Sequence, residues 1–443
     1  MVHSLSNATI VGTGNTVTME NDAQTVSFSG GEDNAVIINS GGDAVRTING
    51  RVLNGRDIVQ ATGGAIVDVT VSTGGVGEVD ADNSTVALND NATATVNGSN
   101  DDLSVANGGT LVASGTNDDV RVFGANNMIT GSNTAVALLA DGASALVIGA
   151  GDSVSLGADG ATGETLAMSG DGNTIEVDGA NSTVNLFGTG DTITTTSAAS
   201  IELHHDGATA TVNGNGNSFT FEGNAQTVNL NGAGNTVDVV DSAGNTVNST
   251  GAAAVTLEVG ANANVNASGS TITINDNSTV SIVGNNDQIA TSAASGGATT
   301  VRLNGTGDVV TDSAFALSGQ MQLTNGAPSN AGPTNELALG TPGGPVSDTQ
   351  LWFQASGNDL KIELLGTQNE VTVANWFASP GNQLQAIHAG GMTLDNGAVG
   401  QLVQPMATFA GANPGFDPTS ASGATLAHND PGVQTAIAAA WHS

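Results

Sequence analysis

The 443-residue chain contains no cysteine and no tyrosine. Without thiols, disulfide staples and thiolate metal sites are excluded, so packing and hydrogen bonding must hold the fold alone. Basic residues are nearly missing: 6 Lys and Arg stand against 41 Asp and Glu, for a formal net charge of −35. Such a surface repels phosphate, which argues against nucleic acid and anionic membranes as partners. It reads either as a solvated acidic exterior or as a collector of divalent cations. Aromatic residues are 3% of the chain, so the core has to be built from Val, Ile, Leu and Ala rather than from rings. No apolar run approaches the length of a membrane span. The first residues, MVHSLSNATIVGTGN, lack the basic and apolar segments of a cleaved secretory signal. The expectation is a chain that stays in the cytosol or leaves by a route that does not read its N-terminus.

What is plentiful is glycine, at 62 residues, and it recurs with a beat. From Asp171 the chain divides into DGNTIEVDG, ANSTVNLFG, TGDTITTTS, AASIELHHD and GATATVNGN, then GNSFTFEG, NAQTVNLNG and AGNTVDVVD. Each unit is a Gly/Asn/Asp turn, then Thr or Ser, then an apolar–any–apolar triplet. Ile175, Val184 and Ile193 fall nine apart, as do Val17 and Val26 near the start. Within a unit the alternation has the strand period of two, with Ile175 in, Glu176 out and Val177 in. A chain this long exceeds one ordinary core, but stacked repeats need only pack on their neighbours. The pattern predicts an all-β fold, a parallel β-solenoid or β-roll of about nine-residue half-turns, two to a coil. Asn at the corners (Asn15, Asn34, Asn173, Asn217, Asn235 and Asn245) is expected to stack into structural amide ladders.

Catalytic chemistry is hard to find in this pattern. No HExxH, nucleophile elbow or dinucleotide-binding GxGxxG is present, and the GxG triplets follow the repeat. His204 and His205 are adjacent, so on a strand they point to opposite faces and cannot chelate together. The expectation is that the chain is not an enzyme.

The units resemble the glycine-rich nonapeptides of RTX proteins, which bind calcium between turns of a parallel β-roll. The doubled glycine and the liganding Asp are missing from most units, such as GAGNTVDV (232–239) and GTGDTITT (188–195). The exceptions are GSNDDLSV (98–105), GTNDDVRV (115–122) and GNNDQIA (284–290). There Asp101, Asp102, Asp118, Asp119 and Asp287 stand where the resemblance would place calcium ligands, although Asp also favours turns for its own reasons. The first two segments are seventeen apart, so their loops are expected to stack on one edge.

A second resemblance covers roughly the last hundred residues. LWFQASGNDLKIELLGTQNEVTVANWF (351–377) is similar to a C-terminal domain of many RTX proteins, as is VGQLVQPMATF (399–409), with Pro405 in a place that would weaken a helix. Leu351, Trp352, Phe353, Trp376 and Phe377 read as its core and cap. The organisation expected is a solenoid over 1–324, a linker rich in Pro, Gly, Ser and Asn over 325–348, and a small capping and secretion domain over 349–443. In that family such a region commonly carries an uncleaved signal for an ABC-type exporter. The resemblance therefore implies a Gram-negative source and a secreted, extracellular or cell-surface destination. Two functions follow as expectations. One is a structural protein that self-associates in a biofilm matrix, surface layer or filament. The other is an adhesin or binding module for surface polysaccharide, other carbohydrate or ice, using outward Thr pairs such as Thr16/Thr18 and Thr192/Thr194. Calcium-assisted folding is compatible with both.

Overall fold

A computed structural model describes residues 73–240, 242–292, 297–313, 319–326, 334–340 and 346–443, with Phe315 and, before residue 73, mainly strand segments between 7 and 71. Asn34 lies outside the described residues, as do 327–333 and 341–345 of the expected linker. The chain forms two compact units, Met1–Asn217 and Ser218–Ser443. Both are parallel β-solenoids.

In the first unit consecutive strands alternate between two ladders. One runs through Thr85–Leu88, Asp102–Val105, Asp119–Val122, Ala135–Leu138, Ser153–Leu156, Thr174–Val177 and Asp191–Thr195, each paired in parallel with the next. The other runs through Thr93–Asn97, Thr110–Ser114, Asn127–Thr130, Ser144–Ile148, Thr165–Ser169 and Thr183–Leu186. The apolar members of each triplet point inward: Ile175 and Val177 are fully buried while Glu176 is exposed. Strands of four or five residues suffice, because each contributes only two inward side chains before a corner turns the chain. Leu103, Leu111, Val120, Ile129, Leu138 and Ile193 fill the interior. Equivalent corner residues are separated by 17, 18 or 21 residues. The longest step is absorbed at the corner 157–164, while the strands flanking it keep their ladder register, Ser153–Leu156 with Thr174–Val177 and Thr165–Ser169 with Ser144–Ile148.

The second unit repeats the plan. Asn235–Val239, Ala253–Leu257, Thr271–Asn275, Gln288–Ser292 and Val309–Asp312 form one ladder. Thr227–Asn231, Asn245–Ser249, Asn262–Asn266, Thr279–Val283, Ala298–Leu303 and Gln320–Asn325 form the other. Its interior is not purely aliphatic, since Phe219 and Phe221 are fully buried.

The end of the solenoid differs from the sequence expectation. Glu336–Leu339, inside the expected linker, is a coil strand paired in parallel with Val309–Asp312 and with Ala386–Ala389. Glu370–Ala374 likewise continues the other ladder from Gln320–Asn325. Within 325–348 the strand Glu336–Leu339 is thus part of the coil, because the short motif ELAL carries the same inward pair, Leu337 and Leu339, as other half-turns. On this last coil Leu351–Ser356, Asp359–Leu364 and Glu370–Ala374 form an antiparallel meander. Three helices, Val399–Ala412, Ala421–His428 and Pro431–Ala440, follow. Pro405 sits inside the first without ending it, since Val399, Leu402, Met406 and Phe409 bury one face, and the Phe353 amide donates to Met406 Sδ at 3.1 Å. Tertiary packing here outweighs the lost helical hydrogen bond. Leu351, Trp352, Phe353 and Trp376 are buried, and Trp352 packs on Phe409 and Phe416. Phe377 is not part of it: at 40% exposure it faces outward, one step past the inward-pointing Trp376.

Candidate functional site

The feature that recurs most regularly is a four-residue corner. In the first unit it reads Gly98-Ser99-Asn100-Asp101, Gly115-Thr116-Asn117-Asp118, Gly149-Ala150-Gly151-Asp152, Gly170-Asp171-Gly172-Asn173 and Gly188-Thr189-Gly190-Asp191. In the second it reads Gly284-Asn285-Asn286-Asp287 and Gly305-Thr306-Gly307-Asp308. Three of the four positions have a distinct task. The leading glycine lies so close to the coil before it that a β-carbon on Gly115 would overlap the Gly98 carbonyl oxygen, and one on Gly305 the Gly284 carbonyl oxygen. The third residue turns the chain in the left-handed region, with φ of 63° at Asn100, 61° at Asn117 and 70° at Gly172. That is why Asn and Gly fill it in all of these corners, while Ala225, at φ of 56°, holds the equivalent place in Gly223-Asn224-Ala225-Gln226.

The fourth residue opens the strand and links coil to coil. Asp101 Oδ1 accepts from the Ser84 amide at 2.6 Å, and Asp118 Oδ1 from the Asp101 amide at 3.1 Å. Asp152 accepts from Thr134, Asn173 from Asp152 and Asp191 from Asn173, each at 2.9 Å. The second unit has the same chain of bonds from Ser270 to Asp287, Asp308 and Asn335, at 2.8, 3.0 and 2.9 Å. Each side chain thus satisfies a backbone N–H of its neighbouring coil that would otherwise be buried without a partner.

This column corrects the expectation of an amide ladder. Asn173 lies between Asp152 and Asp191 rather than between asparagines. Asn217 accepts from the Ala199 amide and donates to Thr195 Oγ1, while Asn245 accepts from the Gln226 amide and donates to Ser242 Oγ. Asn235 opens its strand in register with Ala253. Asn15 is half-buried, and its carbonyl accepts from the Ala35 amide. True amide-on-amide stacking occurs on the outer face: Asn248 donates to Asn229 at 2.7 Å and Asn266 to Asn248 at 2.6 Å. Gly214-Asn215-Gly216-Asn217 follows Thr209–Asn213, which pairs with Asp191–Thr195. The motif therefore stands on the opposite edge from Gly188–Asp191, the edge that already carries Gly124–Asn127, where Asn127 Oδ1 accepts from the Gly109 amide at 2.8 Å.

The five calcium candidates are not brought to one point. Asp101 and Asp118 stack in the buried column, one per coil, and Asp287 occupies the same role in the second unit. Asp102 and Asp119 are on the outer face, where Arg121 bridges them at 2.9 and 3.0 Å. Among the described residues no three His, Asp or Glu gather as a metal site. Calcium needs several oxygens around one centre, and strand alternation sends neighbouring carboxylates to opposite faces. Arg121 is 42% exposed in its side chain, so an Arg121→Ala variant is expected to lose less than about 1 kcal/mol in urea unfolding.

Two of the histidines, His204 and His388, have structural partners. His204 stacks on Phe187 at 4.6 Å and meets Glu202 at 3.4 Å. His388 is held between Glu336 Oε2 and Thr393 Oγ1, both at 3.2 Å, beside a cleft of about 230 Å³ that includes Leu339 and Met392. It fastens the last hairpin to the final coil strand. The outward Thr rows are short: Thr192 continues to Thr174 and Thr211, but Thr194 lies between Glu176 and Asn213. Thr16 and Thr18 lie beside Ala35 and Ile37. Among the described residues no helix is long and apolar enough to cross a membrane. No known family model matches the chain.

Proposed function

We propose that this chain is a secreted, non-enzymatic structural protein that associates with copies of itself in an extracellular matrix, surface layer or filament. One observation carries the reading. Among the described residues, successive coils supply one another's backbone partners through ladder hydrogen bonds, the corner bonds and the close glycine contact. Coil stacking is therefore the dominant interaction this sequence encodes. Asn7–Ile10 and Thr16–Met19 pair on one side only among the described residues, with Thr25–Ser29 and Ala35–Ile38. Strands paired on one side are templates for another chain, and a head-to-tail contact between copies would extend the same ladders. The likeness of 351–377 and 399–409 to RTX C-terminal domains supports export by an ABC-type exporter from a Gram-negative cell. The acidic surface supports solubility before assembly.

Negative-stain electron microscopy of the purified chain, with millimolar calcium and with chelator, tests this. Filaments or sheets of uniform width are the expected result, and the chelator arm reads whether calcium takes part. Dispersed single molecules at every concentration in both arms would reject self-association and favour a binding module. Its candidate surface would be the exposed apolar row of Met128, Leu146 and Ile148.

A further inference from the structure

The corner column contains a chemical mismatch. Where the fourth residue of a corner, on either edge of the coil, is serine or asparagine, the side chain has a donor, and at several corners that donor turns back on its own corner. Ser84 Oγ donates to the Ala81 carbonyl at 3.0 Å, and Asn127 Nδ2 to the Gly124 carbonyl at 2.8 Å. Asn173 Nδ2 donates to the Gly170 carbonyl at 2.9 Å. In these three the acceptor is the carbonyl three residues earlier, whereas Ser182 Oγ, 3.0 Å from the Gly179 carbonyl, is closer to Glu164 Oε2 at 2.6 Å. Where the position is aspartate, Oδ1 does the inter-coil work and Oδ2 is left over. Oδ2 of Asp101, Asp152, Asp191, Asp287 and Asp308 is buried with no hydrogen-bond partner among the described residues. These side chains are at most 2% exposed. Oδ2 of Asp101, Asp152, Asp287 and Asp308 lies directly beside the glycine three residues earlier, Gly98, Gly149, Gly284 and Gly305. An ionised Oδ2 there would set acceptor against acceptor in a dry corner, at the cost of an unpaired buried charge.

We propose that Asp101, Asp152, Asp191, Asp287 and Asp308 are neutral carboxylic acids in the folded coils, each donating its acid hydrogen to the carbonyl of the glycine three residues earlier, so that protons close the coil and their loss loosens it. A protonated aspartate has one O–H donor and keeps its acceptor oxygen, which reproduces the bonding of Asn173.

The charged groups acting on these positions favour the neutral form. Asp118 and Asp82 face Asp101, Asp171 faces Asp191, and Asp308 faces Asp287. Asp152 is shifted by burial, against the Thr134 and Asn133 amides, and Asp308 by burial, against the Asp287 and Asn286 amides. No basic group acts on any of the five among the described residues; Arg121 is engaged outside by Asp102 and Asp119. Burial raises all five carboxyls, and it pushes Asp191 and Asp287 up to about 6. In the unfolded chain the same groups hold protons only below about 4. Between these values the folded state binds protons that the unfolded state does not. The contribution to stability is therefore complete below about pH 4 and is lost as pH rises through about 6. The coil should tighten in acid, where most proteins weaken.

The test compares the full-length chain with the double variant Asp191→Asn, Asp287→Asn and with Glu176→Gln, an exposed control on the outer face. Melting temperature is followed from pH 4 to 8, and carboxyl titration by carbon-detected NMR on Asp-labelled wild type. The expected result has three parts. Wild type melts higher at pH 5 than at pH 8. The double variant melts higher than wild type at pH 8 with a flatter pH profile. Glu176→Gln keeps the wild-type slope, which separates the column from the general relief of negative charge on acidification. The proposal is overturned if the variant melts lower at pH 8 with an unchanged slope, or if Asp191 and Asp287 titrate near 4. Calcium raising the melting temperature of wild type at pH 8, but not that of the variant, would also overturn it by assigning the free oxygens to a cation. Should the variant not fold, the NMR titration of the wild type decides alone.

Discussion

Gly115→Ala is expected to be among the most damaging single-methyl changes in the chain, costing about 3 kcal/mol or more. The new β-carbon would overlap the Gly98 carbonyl oxygen, and Gly98 is in turn pressed against the Ala81 carbonyl. Neither neighbour is a side chain that could swing away, so relief requires two coils to separate and their ladder bonds to stretch. Gly172 provides the comparison, because a β-carbon there meets nothing but φ is 70°. Gly172→Ala should cost only about 1–2 kcal/mol, the ordinary penalty of a left-handed alanine. Gly172→Asn should be nearly neutral, since Asn100, Asn117 and Asn133 hold the equivalent place at φ of 63°, 61° and 57°. Urea unfolding of the three variants reads this order directly. Equal costs for Gly115→Ala and Gly172→Ala would show that close coil contact is not what selects the leading glycine.

Trp352→Ala should cost about 3–5 kcal/mol, the range for removing a large buried aromatic, with a different spatial signature. Trp352 is 1% exposed and lies between the strand Leu351–Ser356 and the helices, its ring 4.7 Å from Phe416 and 5.8 Å from Phe409. The loss should fall on the helix Val399–Ala412, whose buried face has few other large anchors. Hydrogen exchange should show that helix losing protection while Thr271–Asn275 and Thr279–Val283 keep theirs. Solenoid coils couple mainly to their nearest neighbours, so damage at the end should not travel far. Uniform loss along the second unit would contradict this.

The sequence makes the strand-and-corner architecture legible because it is written locally. The triplet around Ile175 and Val177 needs only the period of two to be read, and the seventeen-residue offset between Asp101 and Asp118 already implies stacked corners. The column was harder to see, because one task is shared by different residue types. Asp191, Asn173 and Ser84 look unrelated in a line of text, yet each presents an oxygen or a donor at the same place on successive coils. Reading the corners for asparagine alone found Asn173 and Asn245 but passed over Asp152, Asp191 and Asp308. The available signal was the four-letter pattern of Gly, any residue, Asn or Gly, then Asp or Asn. Asn229 belongs to an outer amide row of its own, which no single repeat unit reveals. Composition reads 325–348 as a linker, whereas Glu336–Leu339 inside it follows the inward–outward rule of the other half-turns.

The corner 157–164 takes up extra residues while the strands on either side keep their register. Growth and loss of such a chain are therefore constrained by phase rather than by length. Duplication of a whole coil leaves the glycine seam where it was, and additions at a permissive corner leave it untouched. A gained or lost half-coil instead exchanges the two edges for every coil beyond it, so the outward rows on either side of the change no longer match.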